Sequence, residues 1–152
     1  MNKSELRDAL MQQLWRMNKL DLMVGLREFI EGELAALNYL RGCDEPVTPS
    51  QISENLRVSR ARAANILRSL RGKGYVAMEI SSDDRRKMNV SLTDAGRRYH
   101  DEKYGYVVKY FDLYVDVLGE EDIAELTRLL KKTADSKVLL REDGTSQKEK
   151  NV

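Results

Sequence analysis

Apolar residues recur every three or four positions at both ends of this chain and every second position in one short central stretch. Near the start, Leu6, Leu10 and Leu14 predict an amphipathic helix from about Ser4 to Met17. Leu22, Leu26, Phe29, Ile30, Leu34, Leu37 and Tyr39 predict a second, from about Asp21 to Leu40, ended by Gly42 and the Asp44-Glu45-Pro46 stretch. Thr48-Pro49-Ser50-Gln51 is a strong helix start. Thr48 can cap, Pro49 suits the first helical position and Gln51 can close a capping box. That helix is short, ending near Leu56. Arg57-Val58 is a tight connection, and Ser59 caps a further helix from Arg60 to about Gly72. Two helices joined so briefly make a helix-turn-helix.

After Gly74 the period changes. Val76, Met78 and Ile80 alternate, a polar tip from Ser81 to Arg86 follows, and Met88, Val90 and Leu92 alternate again. This predicts a β-hairpin with one apolar face, a wing directly behind the helix-turn-helix. Thr93-Asp94 then caps a helix that could reach Leu118, where Gly119 stops it. A last helix, about Glu120 to Ser136, carries Ile123, Leu126, Leu129, Leu130 and Ala134. Acidic residues at its start suit the helix dipole. The polar tail beyond about Arg141 is expected to be disordered. The predicted fold class is therefore mainly α with a small β-hairpin (α+β): a winged helix-turn-helix lobe over about 47–97, flanked by terminal helices at about 4–20 and 100–136, in one domain spanning 1–140 with a tail at 141–152.

Composition excludes several classes. No apolar run can span a bilayer, and the charged N-terminus lacks the apolar stretch of a secretory signal. A single cysteine, Cys43, permits no intrachain disulfide, so a cytoplasmic protein is expected. His100 is the only histidine, and no His/Cys/carboxylate set has metal-site spacing. No catalytic triad, phosphate loop or paired-acid motif is present, so neither enzyme activity nor a cofactor is expected.

The net charge is only +1, which by itself says nothing of nucleic acid. Its distribution does. Between Glu54 and Glu79 there is no acidic residue, while Arg57, Arg60, Arg62, Arg68, Arg71 and Lys73 fall inside that window. Such an island in a near-neutral chain points to a local polyanion site. On a helical wheel Ala63, Ile66, Leu67 and Leu70 share the inward face, and Ala61, Asn65 and Arg68 lie nearly opposite, flanked by Arg62 and Ser69. The outward face is short, polar and basic, chemistry that suits a major groove. Arg62 can pair with guanine O6 and N7, Asn65 with adenine N6 and N7, and Ala61 can meet a thymine methyl. Arg60, Arg68 and Ser69 are better placed to fix register on phosphates, and Ser59 is a further candidate for DNA contact. Thr48, Ser50 and Gln51 open the preceding helix, whose amides can also hold a phosphate. At the wing, Asp84 and Arg86 stand two residues apart at a tight turn, so the carboxylate can orient the guanidinium for a narrow minor groove. Arg85 and Lys87 would reach flanking phosphates. The alternative is an interaction module that docks another protein through the same basic face.

The stretch TPSQISENLRVSRARAANILRSLRGKGYV, followed by DDRRKMNVSLTDAGR, resembles the MarR family of winged-helix regulators. The resemblance covers about Thr48 to Arg97. The family's wing pattern is met by Asp84, Arg86, Leu92 and Thr93. It implies a homodimer with interlocking terminal helices, the Arg60–Gly72 helix in the major groove and Arg86 in the minor groove. It also implies, in many members, release of a repressor by a small phenolic or aromatic ligand, or control by cysteine oxidation. Ala61 and Arg62 replace the small hydroxyl residues frequent there, and Met78-Glu79-Ile80 is not basic as that strand often is, so no operator sequence is implied. The apolar stripes of the terminal helices independently call for a partner subunit, and two-fold symmetry then predicts a pseudo-palindromic site with half-sites ~10 base pairs apart. Trp15, Tyr39 and Tyr104 are candidates for lining an aromatic-ligand pocket. Cys43 lies outside the first helix, where redox-sensing relatives carry their cysteine, so a thiol switch is not expected.

Overall fold

A computed structural model describes residues 1–139; the predicted tail, 141–152, lies outside the described residues. The order is α1 (Lys3–Met17), α2 (Asp21–Glu28), α3 (Glu33–Arg41), α4 (Pro49–Leu56), α5 (Arg60–Gly72), β1 (Val76–Ile80), β2 (Met88–Leu92), α6 (Asp94–Leu118) and α7 (Glu120–Ala134). The described residues fall into two compact units, Met1–Tyr110 and the chain from Phe111 onward.

The capping signals act as the sequence predicts. Thr48 and Gln51 form the capping box of α4, with the Gln51 amide donating to Thr48 Oγ1 at 3.3 Å and the Thr48 amide to Gln51 Oε1 at 2.8 Å. The Ser59 hydroxyl accepts from the Arg62 amide at 3.1 Å and starts α5. Between them Arg57 adopts the left-handed conformation at φ 53°, the sharp corner of the helix-turn-helix. A left-handed residue with a Cβ costs about 1 kcal/mol, here offset by the packing of α4 against α5.

One expectation fails. The apolar period from Asp21 to Leu40 predicts a single helix, but the chain breaks it between Glu28 and Glu33. Gly32 lies at φ 78°, ψ −147°, a region that essentially glycine alone occupies. The apolar stripe continues across the break, so periodicity cannot reveal it.

The core of the first unit belongs to the lobe after that break. Leu34, Leu37 and Leu40 of α3, Ile52 of α4, Ile66, Leu67 and Leu70 of α5, and Val76 and Val90 of the hairpin form one buried cluster. Ala63, Ile66, Leu67 and Leu70 all face inward, as the wheel predicts. The hairpin pairs Val76 with Leu92, Met78 with Val90 and Ile80 with Met88. Its apolar face is buried at the base and open at the far end, where Ile80 is 65% exposed. An isolated bridge ties Val47, just before α4, to Val90: the Val47 amide donates to Val90 O at 3.0 Å and the Val90 amide to Val47 O at 2.7 Å.

The junction between α5 and β1 is clamped to α6. Thr93 Oγ1 donates to Gly74 O at 2.6 Å and accepts from the Gly96 amide at 3.0 Å, capping α6. Gly96 faces the Tyr75 carbonyl so closely that a Cβ there would lie 2.0 Å from its oxygen. Tyr75 and Tyr99 stack at 4.5 Å. A polar chain joins α3 to the same stretch of α6. Arg41 Nε donates to Asp101 Oδ1 at 3.0 Å, that oxygen meets His100 Nδ1 at 2.8 Å, and His100 Nε2 meets Asn38 Oδ1 at 2.8 Å. His100, which shows no metal-site spacing in sequence, is thus a buried structural link, edge-on to Phe29 and stacked on Tyr104.

In the second unit, α7 follows Gly119 at φ 87°. Acidic residues fill its first turn and Lys131 and Lys132 its last, each sign matched to its helix end. Among the described residues no helix is long and apolar enough to cross a membrane.

Candidate nucleic-acid interface

α5 presents the outward face anticipated from its wheel. Arg60, Ala61, Arg62, Asn65, Arg68 and Ser69 are all exposed, opposite the buried Ala63, Ile66, Leu67 and Leu70. Among the described residues, no carboxylate forms a salt bridge with Arg60, Arg62, Arg68 or Arg71. Four guanidiniums left without anions on one short helix leave their charge available to an external polyanion. Arg68 Nη1 donates to Asn65 Oδ1 at 3.1 Å, so these side chains sit as one hydrogen-bonded pair. The Asn65 amide nitrogen keeps both its donors.

Caps use some of the candidate side chains. Thr48 and Gln51 are engaged with each other, which leaves the α4 start offering backbone amides and the exposed Ser50. Ser59 accepts from the Arg62 amide and retains a hydroxyl proton to donate.

The wing tip is built as its spacing suggests. The Arg86 amide donates to Asp84 Oδ1 at 3.0 Å, and its guanidinium grips the same carboxylate through Nε at 3.2 Å and Nη2 at 3.4 Å. The Asp84 side chain is 29% exposed against 90% for Arg86, so the acid sits back while the guanidinium projects. The Arg86 guanidinium, and then its backbone amide, hold the Asp84 carboxyl below the usual carboxylate range. Arg85 and Lys87 flank it, both exposed.

The basic window holds two residues with other tasks. Lys73 pairs with Glu33, forty positions upstream, Nζ to Oε2 at 2.7 Å. Arg57 turns the corner before α5. Nothing in the local sequence pattern points to Glu33.

The three aromatic-ligand candidates are not gathered in one place. Tyr39 lines an open cavity of about 550 Å³ with Phe29, Ile30, Cys43, Leu56 and Arg57. Burial, and then the neighbouring Cys43, push the Tyr39 phenol up, so it stays a donor. Neither Trp15 nor Tyr104 lines this cavity. Trp15 stands on α1, 67% exposed, and Tyr104 packs on Phe29 and His100. Cys43 donates its thiol hydrogen to Tyr39 O at 3.2 Å.

Residues 33–110 match the winged helix DNA-binding domain family. YwaE of Bacillus subtilis, an uncharacterized HTH-type transcriptional regulator, is 31% identical over 86 residues, which is 57% of this chain and 50% of that protein. The chain spans about half the length of the curated relatives it matches. Among solved structures, the transcriptional repressor CouR bound to a 23-mer DNA duplex superposes with a TM-score of 0.66 at 22% identity, over 88% of this chain and 98% of that one. A mutant of MarR from E. coli gives 0.62 at 23% identity, over 88% and 97%. At such identities the likeness is one of fold.

Proposed function

The chain belongs to the winged helix DNA-binding domain family and shares the fold of MarR, and on that premise we propose that it is a sequence-specific transcription regulator that binds a pseudo-palindromic operator as a homodimer. The observation that carries this reading is the wing tip. A guanidinium held by an acid two residues away projects into solvent, in the same lobe as a helix face bearing uncompensated arginines. An arginine oriented before contact loses less freedom on entering a minor groove, where narrow A·T-rich tracts concentrate negative potential.

In this reading Arg62 and Asn65, with Ala61, read bases, while Arg60, Arg68, Ser59 and Ser50 contact phosphates. Residues 1–140 act as one MarR-like domain in which the apolar stripes of the terminal helices are covered by a second subunit. Repression, with release by a small aromatic ligand, is the mode the Tyr39 cavity favours. Its walls run from Phe29 and Ile30 beside the Gly32 break to Leu56 and Arg57 at the helix-turn-helix corner, so an occupant would touch both.

Selection of bound duplexes from a random pool by the purified protein tests the proposal. A symmetric consensus with half-sites ~10 base pairs apart is expected. Affinity should fall steeply with salt. Arg86→Ala should weaken binding to many sequences, whereas Arg62→Ala should relax preference at one base position per half-site, a discrimination worth roughly 1–3 kcal/mol. Enrichment of no duplex, with salt-independent retention, would discard the assignment.

A further inference from the structure

The Glu33–Lys73 pair has no part in the groove contacts just described. Glu33 is the first residue of α3, and Lys73 is the C-cap of α5. Lys73 first, and the Ser69 hydroxyl one turn before it second, hold the Glu33 carboxyl below the usual range. The charges alternate along the contact: the positive N-terminal end of α3, the Glu33 carboxylate, the Lys73 ammonium and the negative C-terminal end of α5. Each side chain is favoured by its own helix end.

Both partners also stand directly after a glycine. Gly32, immediately before Glu33, holds the break from α2, and α3 begins there without a side-chain cap. Gly72, immediately before Lys73, ends α5, where glycine weakens the last helical turn. Two helix ends are thus joined by one charged contact, and one of them belongs to the helix proposed to enter the major groove.

We propose that Glu33 is a positioning residue for DNA recognition: through Lys73 it pins the end of α5 to the start of α3 and so sets how the recognition helix is presented. This rests on the DNA-binding reading above. It also reassigns one residue of the basic window. The Lys73 ammonium serves the carboxylate, not the phosphate backbone.

The test uses the full chain and the duplex enriched from the random pool. Glu33→Gln and Lys73→Gln should each lower affinity roughly fivefold, the scale of a partly exposed ion pair. The slope of log affinity against log salt should stay unchanged, because no phosphate contact is lost. Lys73→Arg, which keeps the charge and reach, should bind like the wild type. The exchange Glu33→Lys with Lys73→Glu should recover part of the loss, limited because each charge then faces the wrong helix end. Thermal melts within a few degrees of wild type establish that the variants are folded. The proposal is overturned if Lys73→Gln lowers the salt slope by about one per lobe, which marks a phosphate contact. It is overturned equally if Glu33→Gln raises affinity or leaves it unchanged. Failure of the wild type to bind any duplex would instead remove the DNA-binding reading, and is recognised by preceding every substitution.

Discussion

The lobe and the first helix carry the same kind of apolar stripe and meet opposite fates. Every buried side chain among the described residues lies between Leu34 and His100. α1 has none: Leu6, Leu10 and Leu14 are 55%, 61% and 54% exposed on one face. Helical periodicity therefore identifies a surface that must be covered without saying what covers it. In the lobe the cover is the chain itself. For α1 it is, in the reading proposed here, a second copy of the molecule, since a contiguous apolar stripe of that kind is seldom left in water.

Three experiments sharpen the contrast. The largest effect is expected inside the lobe. Gly96→Ala drives a methyl to 2.0 Å from the Tyr75 carbonyl oxygen, a backbone atom fixed by the Thr93 amide at 3.1 Å. Stability should fall by roughly 3 kcal/mol, at the severe end of overpacking, as read from urea denaturation. A loss under about 1 kcal/mol would mean that α6 can slide off the corner.

Next, Leu10→Glu on α1 should leave the slow hydrogen exchange of Leu37, Leu67 and Leu70 amides in place while weakening self-association. Sedimentation should show a dissociation constant raised about a hundredfold, equivalent to ~2.7 kcal/mol. Unchanged sedimentation would show that this stripe is not the contact.

The smallest effect is one of pH. The Arg41 guanidinium first, and His100 second, hold the Asp101 carboxyl below its ordinary 3.8. A carboxyl depressed in the folded state binds fewer protons there than in the unfolded chain. Its stabilising contribution is therefore present above the ordinary value and lost as pH falls through the depressed one. Asp101→Asn should flatten the stability profile only below about pH 4, where aspartates titrate. A difference between the two proteins that grows on going below that pH would contradict the Arg41–Asp101 link.

The lobe was readable because its instructions are local. Thr48, Pro49, Gln51 and Ser59 mark helix starts within four residues of the atoms they cap, and the alternation from Val76 to Leu92 fixes the hairpin register through its own tip. The Asp84–Arg86 pair follows from a two-residue spacing. What escaped depends on chain segments that meet only in the folded state. Glu33 and Lys73 are 40 positions apart, Asn38 and His100 are 62 apart. The Gly32 break escaped for another reason. A glycine inside a helix costs only ~1 kcal/mol, and the stripe around it stays in phase, so the residues alone do not choose between a tolerated glycine and a corner. Arg57 likewise carries no mark of its left-handed backbone, which nearby helix packing imposes on a side chain that does not favour it.

The bridge between Val47 and Val90 has a mechanical meaning. It joins the leader of α4 to the middle of β2 by two hydrogen bonds, one from each amide. The arm bearing Arg86 is thereby tied to the leader of α4, the helix that packs against the cylinder bearing Arg62, as two jaws share one caliper frame. In the reading proposed here, a body of that kind would gauge the pitch of the duplex it grips. A duplex wound too tightly or too loosely would seat one jaw and leave the other hanging, whatever letters it spells.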